Sequence, residues 1–195
     1  MDREKLERDL AALPLYQYAF LDTAEIPFSE NVRHICETEC PMYNTTWACP
    51  PAVGTVAECK ARCLRWPHAL LLVTVAEVED AADMEQTLPT RQAHEDITRQ
   101  AADLVETASG HGVYVLSTES CAICAHCAWP DAPCRHPDRM CPCVESHGIL
   151  VTALAERCGI DFLYSSSVVL WFSLIFYSDQ AETAAGLPET AQRKE

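Results

Sequence analysis

A chain of 195 residues that is 49% apolar is long enough to bury a core and too apolar for bulk disorder. Its formal net charge of −15 argues against a nucleic-acid partner, which calls for clustered lysine and arginine. The longest apolar run, 168–177, is about half of the roughly 20 residues a membrane span needs, so no membrane association is expected.

The N-terminal segment 2–12 predicts a short surface helix with Leu6, Leu10 and Leu13 on one stripe. It is charged and lacks the apolar core of a signal peptide, so a cytoplasmic protein is expected. In that reducing compartment, clustered thiols among the 12 cysteines read as metal-binding or catalytic rather than as disulfides. Residues 16–26, aromatic and bounded by Pro14 and Pro27, predict a strand, and Ser29 suits the N-cap of a helical turn over 30–36.

The first cysteine group follows. Cys36, Cys40 and Cys49 lie among polar turn formers closed by Pro50 and Pro51, which stiffen the loop and keep it out of a helix or central strand. A rigid loop positions ligands, and Tyr43 and Trp47 can screen a site from water. The competing reading is a Pro-rich connector with incidental thiols. Residues 55–66 predict a helix on which Cys59 and Cys63 share a face, either as extra ligands or, as we favour, packed in the core. The continuous apolar run 68–78 predicts a strand covered on both faces. Segment 80–109 has helical spacing at Ile97, Ala101, Leu104, Val105 and Ala108, with a break expected near Pro89 and an end at Gly110. A second buried strand, 112–118, leads directly into the second group.

That group is Cys121, Cys124 and Cys127, then Cys134 after a Pro-rich turn. Thiolates at i, i+3 and i+6 of a tight loop can aim at one point, and the fourth can close a tetrahedron. CxxCxxC is the usual opening run of a [4Fe-4S] cluster. A closed four-thiolate zinc site is the alternative, although zinc more often uses two separated CxxC pairs. Within this loop His126 can replace a thiolate but more simply faces solvent, and Arg135 can neutralise cluster charge or form a surface ion pair. Glu37 and Glu39, beside Cys36, read as solvated charges, and nothing in the sequence orients His34, His136 or His147. Beyond Cys141 and Cys143, residues 144–158 predict a helix burying Ile149, Leu150, Ala153 and Leu154. Residues 162–177 hold two strand-like runs, and 179–195 lack periodicity and read as a flexible tail. The expected fold is therefore α/β: one mixed α/β sheet domain over 1–178 with the Cys-rich loops at strand ends.

The two segments together resemble the predicted metal-binding proteins catalogued as domain of unknown function 2284. The resemblance rests on Val32-Arg33 leading to Cys36, Cys40-Pro41-x-Tyr43 and Cys49-Pro50-Pro51, then an amphipathic helix and an apolar strand. It rests further on Cys121, Cys124, Cys127, Cys134-Arg135-x-Pro137 and Glu145-Ser-His-Gly148-Ile149, and spans roughly residues 30–178. It implies iron–sulfur or other metal binding at Cys121, Cys124, Cys127 and Cys134, and also at Cys36, Cys40 and Cys49. It supplies no reaction. The chain departs from the pattern at Met140-Cys141-Pro142-Cys143, where Arg-Pro-Ser is expected, and Cys59 and Cys63 lie outside the motif.

One or two [4Fe-4S] clusters in redox or sulfur chemistry, with a redox protein partner, is the leading expectation. A non-catalytic electron-transfer accessory and a zinc-stabilised interaction module are the alternatives. No phosphate loop, dinucleotide fingerprint or nucleophile elbow accompanies the cysteines.

Overall fold

The computed structural model describes residues 1–163 and 165–179; most of the expected tail, 180–195, lies outside them. Four strands form one sheet in the order β1-β2-β4-β3: β1 (Gln17–Asp22), β2 (His68–Glu77), β3 (Tyr114–Leu116) and β4 (Val168–Tyr177). Every pairing is antiparallel. Five helices accompany it: α1 (Arg3–Leu10), α2 (Glu30–Thr38), α3 (Val56–Cys63), α4 (Met84–Ser109) and α5 (Val151–Arg157). The α/β class stands.

The β2–β4 ladder, from His68↔Tyr177 to Glu77↔Val168, is the spine. Successive side chains of a strand point to opposite faces, so an apolar run with no alternation must be covered twice. On one face Ala69, Leu71 and Val73 pack with Leu116, Phe172, Leu174, Phe176 and the Ile149–Leu154 region. On the other, Leu70, Leu72 and Ile175 pack with Leu6 and Leu10 of α1 and with Ala101 and Val105 of α4. Each fully buried leucine contributes about 1.5–3 kcal/mol.

Three expectations need correction. The helix at 80–109 is not broken: α4 runs through Pro89. The carbonyl that Pro89 leaves without a donor belongs to Glu85, and both residues are exposed, so water satisfies it. The strand at 112–118 is only three residues long and lies at the sheet edge. The helix at 144–158 splits into a 3-10 turn (Glu145–His147) and α5, because Gly148 takes φ 75° and its Cα sits against Val56, where a Cβ would come within 2.9 Å. Ile149 and Leu154 are buried as expected, whereas Leu150 is 40% exposed. The two runs in 162–177 yield one strand, β4.

Helix α4 also buries a polar stripe, Thr87, Arg91, His94 and Thr98. His94 lies 2.8 Å from Thr74 Oγ1, and burial pushes its pKa down to about 4. An imidazole kept neutral in the folded state favours unfolding once the unfolded chain protonates it. His94 therefore withdraws stability as pH falls from about 6.5 towards about 4, by roughly 3 kcal/mol in all. We predict that urea denaturation of wild type and His94→Gln gives a stability difference that changes across this window and is flat above pH 7. A constant difference from pH 4 to 8 would refute the assignment.

Candidate metal centre

Both cysteine segments lie on loops whose ends are fixed by regular structure. Ser29 caps α2, accepting from the Asn31 N–H, and so starts the helix that carries Arg33 and Cys36 one turn apart. The loop after α2 holds Cys40, which is exposed, and Cys49, which is 6% exposed. It folds on itself through the Asn44 N–H to the Pro50 carbonyl at 2.7 Å, with Asn44 in the left-handed region at φ 58°. Helix α3 then begins at a Thr55–Glu58 capping box. Cys59 and Cys63 on α3 are both fully buried, and Cys63 joins the core cluster, in keeping with the packing role.

The second segment leaves β3 at Ser117. Cys121, Cys124, Cys127 and Cys134 wall a common pocket with Ile123 and Trp47. Arg135 lines the same pocket, and its guanidinium donates to the His126 carbonyl at 2.8 Å, which closes the loop on itself. His126 is exposed. Among the described residues, no three Cys, His, Asp or Glu side chains meet around a single ion-sized point. The four thiols stand around a space instead.

The two segments are stitched together, as neither spacing nor composition could show. Trp47 Nε1 donates to the Ala132 carbonyl at 3.0 Å, and Trp129 Nε1 donates to Asn44 Oδ1 at 2.9 Å. The two indoles meet edge to face at 4.7 Å. A short parallel bridge, Ser117↔Cys143, continues the join. The Ser117 N–H donates to Pro142 O at 2.9 Å, the Val144 N–H to Ser117 O at 2.9 Å, and the Cys143 N–H to Ala48 O at 3.4 Å. Cys143 is thereby held against the backbone next to Cys49.

Five arginines brace this assembly, each donating to a carbonyl in or beside the two segments. Arg33 reaches Gly54 O and Ser146 O, Arg62 Val53 O, Arg91 Ser120 O, Arg99 Arg139 O, and Arg135 His126 O. Arg91 also pairs with Glu95 at 3.2 Å. Arg33 differs from it: it is 7% exposed, its Nε has no partner, and no carboxylate pairs with it among the described residues.

Burial favours the protonated form at five of the thiols, Cys36, Cys49, Cys121, Cys141 and Cys143. Burial, then Cys40, pushes the Cys36 thiol up to about 11 against the opposing pull of Arg33, with Glu145 and Cys49 adding to the rise. Burial first, then Glu145, raises Cys143, and Cys49 contributes. Burial raises Cys49 and Cys121, and Cys121 itself adds to the rise at Cys49, so the two groups feel each other. Cys141 is pushed up to about 11 by burial, with Glu95 and Cys121 adding to the rise.

His147 is oriented after all. It is fully buried, its Nδ1 lies 3.2 Å from the Cys143 carbonyl, and its Nε2 lies 2.7 Å from the Tyr114 hydroxyl. Burial, then Arg62, pushes its pKa down to about 3, so it braces the Cys143 backbone as a neutral ring.

Sequence comparison adds one finding. The chain belongs to the predicted metal-binding protein family, domain of unknown function 2284. The family's sequence pattern matches residues 19–177. Neither the curated proteins nor the solved structures yield a match. The chain's own residues suit the metal its family implies. Six thiols of the expected sites sit on two braced, adjoining loops and the seventh, Cys36, on the helix that leads into one of them, and all 12 cysteines are unpaired. A buried guanidinium without a carboxylate is also costly unless an anion offsets it, and metal-bound thiolates are anions.

The indole pair gives a prediction. Trp47→Ala removes both the edge-to-face contact and the bond to Ala132, and we expect amide exchange over 128–135 to accelerate at least tenfold while β2 and β4 stay protected. Unchanged exchange in 128–135 would show that the two loops are held by other contacts.

Proposed function

We propose that this protein is an iron–sulfur protein of redox or sulfur chemistry. A [4Fe-4S] cluster would be held by Cys121, Cys124, Cys127 and Cys134, and a second metal centre by the Cys36, Cys40 and Cys49 loop. The observation that carries the reading is the pocket walled by four thiols. A single zinc ion draws all its sulfurs to about 2.3 Å from one point, whereas a cubane offers each thiolate its own iron and so needs donors arranged around a volume. The CxxCxxC run followed by Cys134 supplies one thiolate for each iron of such a cluster.

Four thiolates saturate a cubane, so the first centre is suited to passing electrons. The contact between the two loops supports a relay role, with the first centre feeding the second. Arg135 at the pocket wall would offset cluster charge there and favour the reduced state. The net charge of −15 fits docking to a basic redox partner, and 12 unpaired thiols fit a reducing compartment, the cytoplasm. Among the described residues, no helix is long and apolar enough to cross a membrane.

The test is iron, zinc and acid-labile sulfide analysis with an absorption spectrum, on protein purified without oxygen. We expect a brown protein with about eight iron and eight sulfide per chain if both centres are cubanes. Cys124→Ala should lose roughly half of both. About four of each would leave one cluster and favour an electron-transfer accessory. A colourless protein that holds zinc and resists reconstitution would overturn the proposal in favour of a structural metal module.

A further inference from the structure

The second centre has only three cysteines in its own loop, and the fold brings it a fourth from 94 residues beyond Cys49. Resting on the two-centre reading, we propose that Cys143 is the fourth thiolate of the metal centre begun by Cys36, Cys40 and Cys49, with Arg33 as its buried counter-charge.

Backbone geometry places Cys143 there. Its N–H donates to the Ala48 carbonyl, adjacent to Cys49, and its own carbonyl lies 3.2 Å from His147 Nδ1. Helix α2, which carries Cys36, packs against the Glu145–His147 turn that follows Cys143, and Arg33 fastens the two through Ser146 O. Cys143 is 8% exposed, and its thiol donates to Glu145 Oε2 at 2.8 Å. That carboxylate aims the sulfur, and its contact with the thiol hydrogen is lost when the sulfur takes a metal. Arg33 supplies an independent observation. It is a buried cation one turn from Cys36, with an orphaned Nε, a Cys59 thiol at 3.9 Å and no carboxylate among the described residues, and a four-thiolate centre would provide an anion for it.

Cys141, two residues away, belongs elsewhere. Its thiol points at the Arg139 carbonyl at 3.8 Å, which Arg99 of α4 also holds at 2.9 Å. The run from Met140 to Cys143 therefore spans the join, with Met140 on the pocket of Cys121, Cys124, Cys127 and Cys134 and Cys143 beside Cys49.

The experiment uses the full chain purified without oxygen, with iron and sulfide content and electron paramagnetic resonance of oxidised and dithionite-reduced samples. Cys143→Ala, Cys143→Ser, Cys141→Ala and Cys36→Ala are compared. Cys143→Ser keeps the volume and a hydrogen for Glu145, so it guards against misfolding in the alanine variant. We expect both Cys143 variants to lose between one and about four irons per chain and to alter one resonance signal, leaving the signal removed by Cys124→Ala intact. Cys141→Ala should match wild type. Wild-type iron content and spectra in both Cys143 variants, with Cys36→Ala defective, would overturn the assignment of Cys143 while sparing the second centre. If Cys36→Ala also matches wild type, the second centre is itself absent and the inference falls with it. Loss in Cys141→Ala but not in either Cys143 variant would transfer the ligand to Cys141 and overturn the proposal.

Discussion

Everything in this molecule hangs on the ten-residue ladder between β2 and β4, buried on both faces from Ala69 to Thr74 and open to solvent at Val75. Backbone polar groups in such a place must pair, and the ladder pairs them over its whole length. That leaves β4 one free edge, of which β3 takes only the part from Leu174 to Phe176. Having paired for three residues, the chain leaves the sheet beside the middle of β4 and enters the cysteine loop there. The short edge strand is thus what sets the loop against the body of the domain, next to the polar stripe of α4. Arg91 and Arg99 on that helix then hold the loop at Ser120 and Arg139. Trp171 of β4 donates to Thr90 at 2.8 Å, which ties helix and sheet at the same level.

Charge is the second constraint. A protein of net charge −15 that gathers thiolates must concentrate cations where the sulfurs are, or the ionised ligands repel one another. Five arginines brace carbonyls in or beside the two loops. A guanidinium has five donors in a plane and stays charged in any environment, so it can fasten a carbonyl while its charge acts on neighbouring sulfurs. A lysine has three donors on one nitrogen, without the planar fork, and loses its proton more readily on burial. Arg33 is the extreme case, because its charge is unmatched by any carboxylate of the described chain.

The sequence showed the parts of this design that depend on periodicity and spacing. The unbroken apolar run 68–78 could only be a doubly covered strand, and CxxCxxC with Cys134 could be recognised within one loop. Leu6 and Leu10 marked α1 by their stripe. Long-range placement was hidden. Cys143 read as a departure from a family pattern, and only the Ser117 bridge and the Ala48 carbonyl put it beside Cys49. Thr87, Arg91, His94 and Thr98 carry helical spacing too, but a search for apolar residues cannot see a polar stripe. Gly148 looked like a residue inside a helix, because the reason for its break is a contact with Val56, 92 positions away.

The same long-range join bears on why two groups of cysteines sit in one small domain. If each group merely stapled its own loop, the loops could lie anywhere on the surface, and a link between them would serve no purpose. They are instead joined by two indoles, by a parallel bridge and by a dipeptide step from Cys141 to Cys143. Cys121 adds a small Coulombic rise to the Cys49 thiol across it. Groups that close share an electrostatic environment, so a change of charge at one shifts the energy of the other. Charge at either group therefore bears on the other, a consequence of the join and not of either loop alone.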